Sequence, residues 1–392
     1  MPGEGPLTLG VAVALLVLGV LVGRVWAQSQ MTRGNRPGGG QRSHYLMGLN
    51  YLVSNQPDLA IRELSRSVGT ETDAIEAYLA LGNLFREKGQ AERAIDIHKS
   101  LLHRAGLSPE ERLQALFSLG MDFKKAGLMD RAERTLREVV EHDPENVACL
   151  HTVRQVYEEM GRWADAVDVQ RRIDILEGSR EGGLRAALHY EWGNALRTDR
   201  CLDEAEVRFR QALDEDPNYP AAHIGLAECL LARGDIEDAA DHLEMITDAG
   251  PPWAGAALER LAGACAELGQ PERLRSACQR VLRSDTRSWR ALLVLGRSYL
   301  ASGEIDAARD GLTAALRERP ASMDVQRALW RSHASGEADE GSALFEERVG
   351  AVLDEHRLID PYICLRCRIK STELFARCPH CHEWNTMAEE RS

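Results

Sequence analysis

Leu81-Gly82-Asn83-Leu84-Phe85 returns as Leu119-Gly120-Met121-Asp122-Phe123 and as Leu295-Gly296-Arg297-Ser298-Tyr299. Trp192-Gly193-Asn194-Ala195-Leu196 is close to the same pattern. Four positions after the aromatic or leucine stands a turn residue, and five further on an alanine: Gly89/Ala94, Gly127/Ala132, Arg200/Ala205 and Gly303/Ala308. Degenerate copies fill the gaps, at Gly48/Tyr51/Asn55/Ala60, Arg154/Tyr157/Gly161/Ala166, Ala227/Leu230/Gly234/Ala239 and Ala262/Cys265/Gly269/Leu274. The small position advances through 48, 82, 120, 154, 193, 227, 262 and 296, in steps of 34, 38, 34, 39, 34, 35 and 34.

That period is the tetratricopeptide pattern of two antiparallel helices per 34 residues. The expected fold is an all-α solenoid of eight repeats over residues 45–320. Small residues let helix A approach helix B, and large apolar residues fill the groove to the next repeat. Pro144, Pro217 and Pro320 each fall 24 residues after a repeat glycine, where proline cannot continue helix B. The two long steps place insertions near Gly106-Leu107-Ser108-Pro109 and Gly178–Gly183, between one repeat and the next. Helices over Met323–Trp330 and Ala343–His356 read as a degenerate ninth repeat or cap within 321–358, since a solenoid must cover its open end.

Leu7 to Gly23 is a run of 17 residues without a charge, about 26 Å long as a helix, and Val25 and Trp26 extend it. Residues 7–26 are expected to form a transmembrane helix. A cleaved signal peptide is disfavoured because residues 1–6 hold no Lys or Arg. Arg24, Arg33, Arg36 and Arg42 follow the span, and only Glu4 precedes it. The positive side stays cytoplasmic, which leaves residues 1–6 periplasmic and the bulk of the chain in the cytoplasm. Residues 27–44 read as a flexible basic tether. The chain carries −13 overall, but residues 45–392 hold 44 basic and 60 acidic side chains, a net −16. Such a body suits protein partners and not nucleic acid.

The nine cysteines divide in two. Cys149, Cys201, Cys229, Cys265 and Cys278 lie in the repeats and read as small buried hydrophobes. Cys364-x-x-Cys367 and Cys378-x-x-Cys381 fall within 18 residues, the spacing of a tetrahedral tetrathiolate. One zinc or iron ion fits such a set, and the spacing does not choose between them. With all four positions filled by protein, no site is left for water activation. His380 and His382 flank Cys381 but are not needed as ligands. The segment 359–392 is too short to bury a core, so the metal should supply much of its folding energy.

An N-terminal anchor, a repeat array and a terminal four-cysteine knuckle together resemble the lipopolysaccharide assembly protein B family of Gram-negative inner membranes. The likeness is carried by Asn50-Tyr51-Leu52-Val53-Ser54-Asn55-Gln56, Leu81–Arg86, Arg93-Ala94-Ile95-Asp96-Ile97-His98 and Ala126–Glu133. Tyr362, Cys378-Pro379-His380-Cys381 and Trp384 add to it. The resemblance implies a rubredoxin-like metal domain and a regulatory adaptor, not an enzyme. It implies as partners an FtsH-type membrane protease, the lipid A deacetylase LpxC, and other lipopolysaccharide synthesis and export proteins. It further implies that the adaptor promotes degradation of LpxC. Self-association is left open. Arg368 departs from the pattern, since such knuckles usually carry Gly there to allow positive φ, and the side chain should cost about 1 kcal/mol. Repeats four to eight resemble only the generic repeat.

No phosphate-binding loop, nucleophile elbow or zincin motif supports catalysis. A rubredoxin-like electron carrier on a membrane-anchored scaffold is the alternative, because an iron tetrathiolate can cycle one electron. A zinc-ribbon nucleic-acid binder has only Arg366, Arg368, Lys370 and Arg377 in its favour, and the acidic body opposes it. Those four cations read as a solvated face or as a docking patch for the repeats or a partner.

Overall fold

The computed structural model describes residues 39–69, 75–179, 182–334 and 362–389. The expected span and tether residues up to 38, and the second expected helix of the cap, lie outside them. Among the described residues no helix is long and apolar enough to cross a membrane. The chain forms two compact units, divided after Met160.

The first unit contains α1 (Gly39–Val53), α2 (Pro57–Gly69), α3 (Ile75–Glu87), α4 (Ala91–Leu102), α5 (Pro109–Lys125), α6 (Met129–His142) and α7 (Val147–Glu159). The second contains α8 (Trp163–Glu177), α9 (Gly183–Thr198), α10 (Leu202–Glu215), α11 (Pro220–Arg233), α12 (Ile236–Met245), α13 (Trp253–Leu268), α14 (Pro271–Ser284), α15 (Trp289–Ala301), α16 (Ile305–Glu318) and α17 (Met323–Ala334). Three short strands follow: β1 (Tyr362–Cys364), β2 (Lys370–Ser371) and β3 (Met387–Glu389). Helices alternate A and B through the repeats, and α17 is the A helix expected after Pro320.

Each A–B turn has the same cause. Asn55, Gly89, Gly127, Gly161, Arg200, Gly234, Gly269 and Gly303, the turn residues of the repeat, all have positive φ. At Gly89 this bends the chain so that the Gln90 N–H donates to Phe85 O at 2.8 Å, closing the helix end. The same bond recurs from Leu128 to Phe123 and from Glu304 to Tyr299, at 2.9 Å each. The aromatic position therefore supplies a carbonyl as well as a ring.

The small position faces the residue 16 further on, in helix B. Gly48 meets Leu64, Gly82 meets His98, Gly120 meets Leu136, Gly193 meets Phe209 and Gly296 meets Leu312. A methyl group on Gly120 would stand 2.5 Å from Leu136 Cδ2, so the helix pair closes only without one. Where the first, third, fifth and eighth repeats place Leu or Phe, the second places His98. Its ring is fully buried, with Nδ1 2.5 Å from Asp122 Oδ2, and Arg86 donates to Asp122 Oδ1 at 2.8 Å. The periodic pattern did not signal this polar contact between neighbouring repeats.

Helix B ends where expected, at His142, Glu215 and Glu318, two residues before each proline. The insertions also fall where the period placed them, over 103–108 and 178–182. The first ends in a capping box: Ser108 Oγ accepts from the Glu111 N–H at 3.2 Å, and Glu111 Oε2 accepts from the Ser108 N–H at 2.7 Å. One boundary differs. Helix α1 starts at Gly39, inside the expected tether, and His44 Nδ1 contacts Glu63 Oε2 of α2 at 2.7 Å. Glycines are tolerated in a first turn, where the N–H groups lack helical partners in any case.

Candidate metal centre

Residues 362–389 form a three-stranded antiparallel sheet in the order β2-β1-β3. Tyr362 pairs with Ser371 on one side and Glu389 on the other, and Cys364 pairs with Met387. Two turns carry the cysteines, and they repeat one geometry. In the first, the Arg368 N–H donates to Cys364 O at 2.9 Å and the Cys364 N–H to Ile369 O at 2.9 Å. In the second, the His382 N–H donates to Cys378 O at 2.9 Å and the Cys378 N–H to Glu383 O at 2.8 Å. Both turns need positive φ at the residue after the second cysteine: Arg368 has +65° and His382 +57°. The strain expected at Arg368 is therefore present, and His382 repeats it.

The four thiol sulfurs all lie within 4.8 Å of one another. Cys364 Sγ is 3.7 Å from Cys381 Sγ, and Cys367 Sγ is 3.7 Å from Cys378 Sγ. A disulfide would bring sulfurs to about 2.0 Å. Four thiolates at about 2.3 Å from a central metal stand about 3.8 Å apart. The spacing fits a metal and not a disulfide, and a tetrathiolate donor set suits zinc or iron.

Electrostatics lead the same way. Burial raises the Cys364 thiol, but the Cys367 N–H, Thr386 and the Arg366 N–H outweigh it and bring the thiol down to about 6. Cys381 moves the other way, to about 12. The Glu383 N–H favours its thiolate, but burial and the neighbouring sulfurs prevail. Sulfurs this close cannot all ionise alone, and a cation among them removes the conflict.

The metal domain docks on the second unit's repeats. Ala376 is buried with Ala186, Ala187, Ala212, Tyr219, Ala221 and Ala222, and Trp384 lies against them. The Trp289 indole N–H donates to Glu389 Oε2 at 3.1 Å, and Arg290 Nε lies 3.0 Å from Glu389 Oε1. The Arg290 guanidinium stacks between the rings of Trp289 and Tyr362, at 4.5 and 4.8 Å. It also pairs with Glu259. Burial pushes the Tyr362 hydroxyl up to about 12.

Docking therefore uses acidic, aromatic and small groups. Of the cations considered for that role, Arg366 pairs with Glu383 within the domain, Arg377 lies over Trp384, and Arg368 and Lys370 are exposed. Four of the five repeat cysteines are buried as expected, and burial lifts the Cys149 and Cys278 thiols to about 12. Cys201 is the exception. It is exposed at the turn before α10, where nothing packs over it.

Comparison with known proteins agrees with this construction. Residues 362–389 match the family described as "Rubredoxin metal binding domain". Residues 77–113, 201–262 and 266–322 match families described as "Tetratricopeptide repeat". Lipopolysaccharide assembly protein B of Escherichia coli K12 is 29% identical over 348 residues, 88% of each chain. The protein of that name in Haemophilus influenzae is 24% identical, again over 88% of each chain. Among solved structures, the C-terminal part of a tetratricopeptide-repeat protein from Cytophaga hutchinsonii overlaps 73% of this chain and 99% of its own. That match has 13% identity and a TM-score of 0.42. These relatives are named for lipopolysaccharide assembly. In its repeats, its four-cysteine domain and its likeness along 88% of its length, the chain is similar to the lipopolysaccharide assembly protein B of these two organisms.

Proposed function

We propose that the protein is a membrane-anchored adaptor that regulates lipopolysaccharide synthesis. The observation that carries this reading is a closed four-sulfur site docked on a repeat array, in a chain whose relatives are named for lipopolysaccharide assembly. Cys364, Cys367, Cys378 and Cys381 would hold one zinc or iron ion. The metal supplies a cross-link between two turns that have little apolar core of their own. Residues 7–26 anchor the chain in the inner membrane, 27–38 lead from the anchor, and the repeats face the cytoplasm. There the array brings the deacetylase LpxC to an FtsH-type protease and lowers LpxC levels, and it gathers further synthesis and export components.

Repeat surfaces recognise segments of other proteins through side-chain rows along successive helices, which suits this role and needs no reaction. The test is depletion of the protein followed by measurement of the LpxC half-life. Stabilised LpxC is expected, and an unchanged half-life overturns the assignment. Metal analysis of the purified full chain should give one ion per chain.

A further inference from the structure

The array meets the metal domain along the starts of four successive A helices. Ala187, Ala221, Gly255 and Trp289 are 34 residues apart and lie within the first five residues of α9, α11, α13 and α15, the first two standing six residues before the small position of their repeat and the last two seven. Ala187 and Ala221 form a shelf for Ala376, with the Tyr219 ring beside it. At Gly255 a methyl group would come within 3.0 Å of Glu389 Oε1 and 2.6 Å of Arg290 Cδ, so the row admits the carboxylate because no side chain is there. Trp289 ends the row and holds that carboxylate by its indole N–H. The neighbouring Arg290 side chain is 5% exposed and faces the same group. Helix A packs on helix B through other positions, those that meet the residue 16 further on.

We propose that this row is a peptide-binding surface of the array, covered in cis by the metal domain while its cysteines hold a metal and uncovered when the metal leaves. The proposal rests on the metal-binding reading above. The coupling is mechanical. Glu389 is held by β3, which among the described residues pairs with β1 alone, and β1 runs from Tyr362 to Cys364. The buried cluster of the domain is Tyr362, Met387, Cys364 and Cys378, with the other two cysteines against it. Half of that cluster is cysteine, and Leu374 and Phe375 are the other apolar groups against it, so metal loss weakens the core and the register that places Glu389 and Tyr362.

Once they leave, the Trp289 N–H and the Arg290 guanidinium, still paired with Glu259, border an open small-residue shelf. That chemistry receives a segment with an aromatic residue followed a few positions later by an acidic one, as Trp384 precedes Glu389.

The experiment is hydroxyl-radical footprinting of the full chain in detergent, in three states: as isolated, stripped with a chelator, and Glu389→Gln. Metal content and helical circular dichroism are followed in parallel. Stripping should raise labelling of Trp289 and Tyr219 at least about threefold with helicity kept, as local opening of a docked element does. Glu389→Gln should raise Trp289 labelling with the metal retained. A fluorescent peptide of residues 382–389 should bind the stripped protein and not the loaded one. Metal loss without increased labelling overturns the proposal, as does a peptide that binds both states or neither. Failure of the metal reading shows separately, as isolated protein without metal.

Discussion

Gly193→Ala is the sharpest test of the repeat packing. The added methyl would stand 2.7 Å from Phe209 Cε1 and 2.9 Å from Cδ1. Ordinary carbon contacts are about 3.5–4.0 Å, so the overlap is about 1 Å. The ring cannot slide away. Phe209 is fully buried, and Gly225 of the next repeat already sits on its other side, where a methyl would be 2.6 Å from the same Cε1. Overpacking of this kind costs about 2–3 kcal/mol, and alanine returns about 1 kcal/mol in helix propensity. The net expectation is a loss of about 1–2 kcal/mol.

Gly263→Ala, in α13 of the same unit, is the control. Nothing lies within 4 Å of its would-be methyl, and the position is exposed. That change should stabilise by about 1 kcal/mol. Urea unfolding, followed by circular dichroism with the slope checked for constancy, reads both. Phe209→Leu combined with Gly193→Ala should recover much of the loss, a coupling of about 1 kcal/mol or more. If the two glycine variants shift the midpoint equally, or the double variant recovers nothing, the packing argument fails.

Three further outcomes are expected. Cys364→Ser should release the metal and unfold residues 362–389 while the helical signal of the array persists, and retained stoichiometric metal on elemental analysis would contradict the ligand assignment. Arg368→Gly should relieve strain at φ +65° worth about 1 kcal/mol, seen as slower metal release to a competing chelator; faster release would refute it. Burial holds the His189 imidazole at about 4 against an ordinary 6.5, with Arg171 nearby adding to the effect. Its neutral form is the folded one, so stability is full above about 6.5 and falls as pH drops towards about 4. Denaturation midpoints across that range should show the decline, and His189→Gln should flatten it.

Periodicity exposed the array because tetratricopeptide helices are specified locally. A turn that needs positive φ, a glycine that must meet helix B and a proline beyond it each leave a mark at a set spacing. The cluster of four cysteines was legible for the same reason, since each pair sits on one tight turn of fixed spacing. His98 escaped notice because a buried histidine is acceptable only when Asp122 and Arg86 of neighbouring helices complete it. Cys201 was misread because burial depends on what covers a turn, which composition does not reveal.

By itself the sequence determined the turn residues, the helix ends and the two cysteine turns that bring four sulfurs together. These follow from backbone geometry and ligand chemistry that act within a few tens of residues. Only the tertiary structure decided where the metal domain sits. Trp289 and Glu389 are 100 residues apart, and their bond depends on four helix starts coming into line. The interval of 34 was present in the sequence at Ala187, Ala221, Gly255 and Trp289, but two alanines, a glycine and a tryptophan share no chemistry. They become one surface only when the helices stack and a single carboxylate reaches across them.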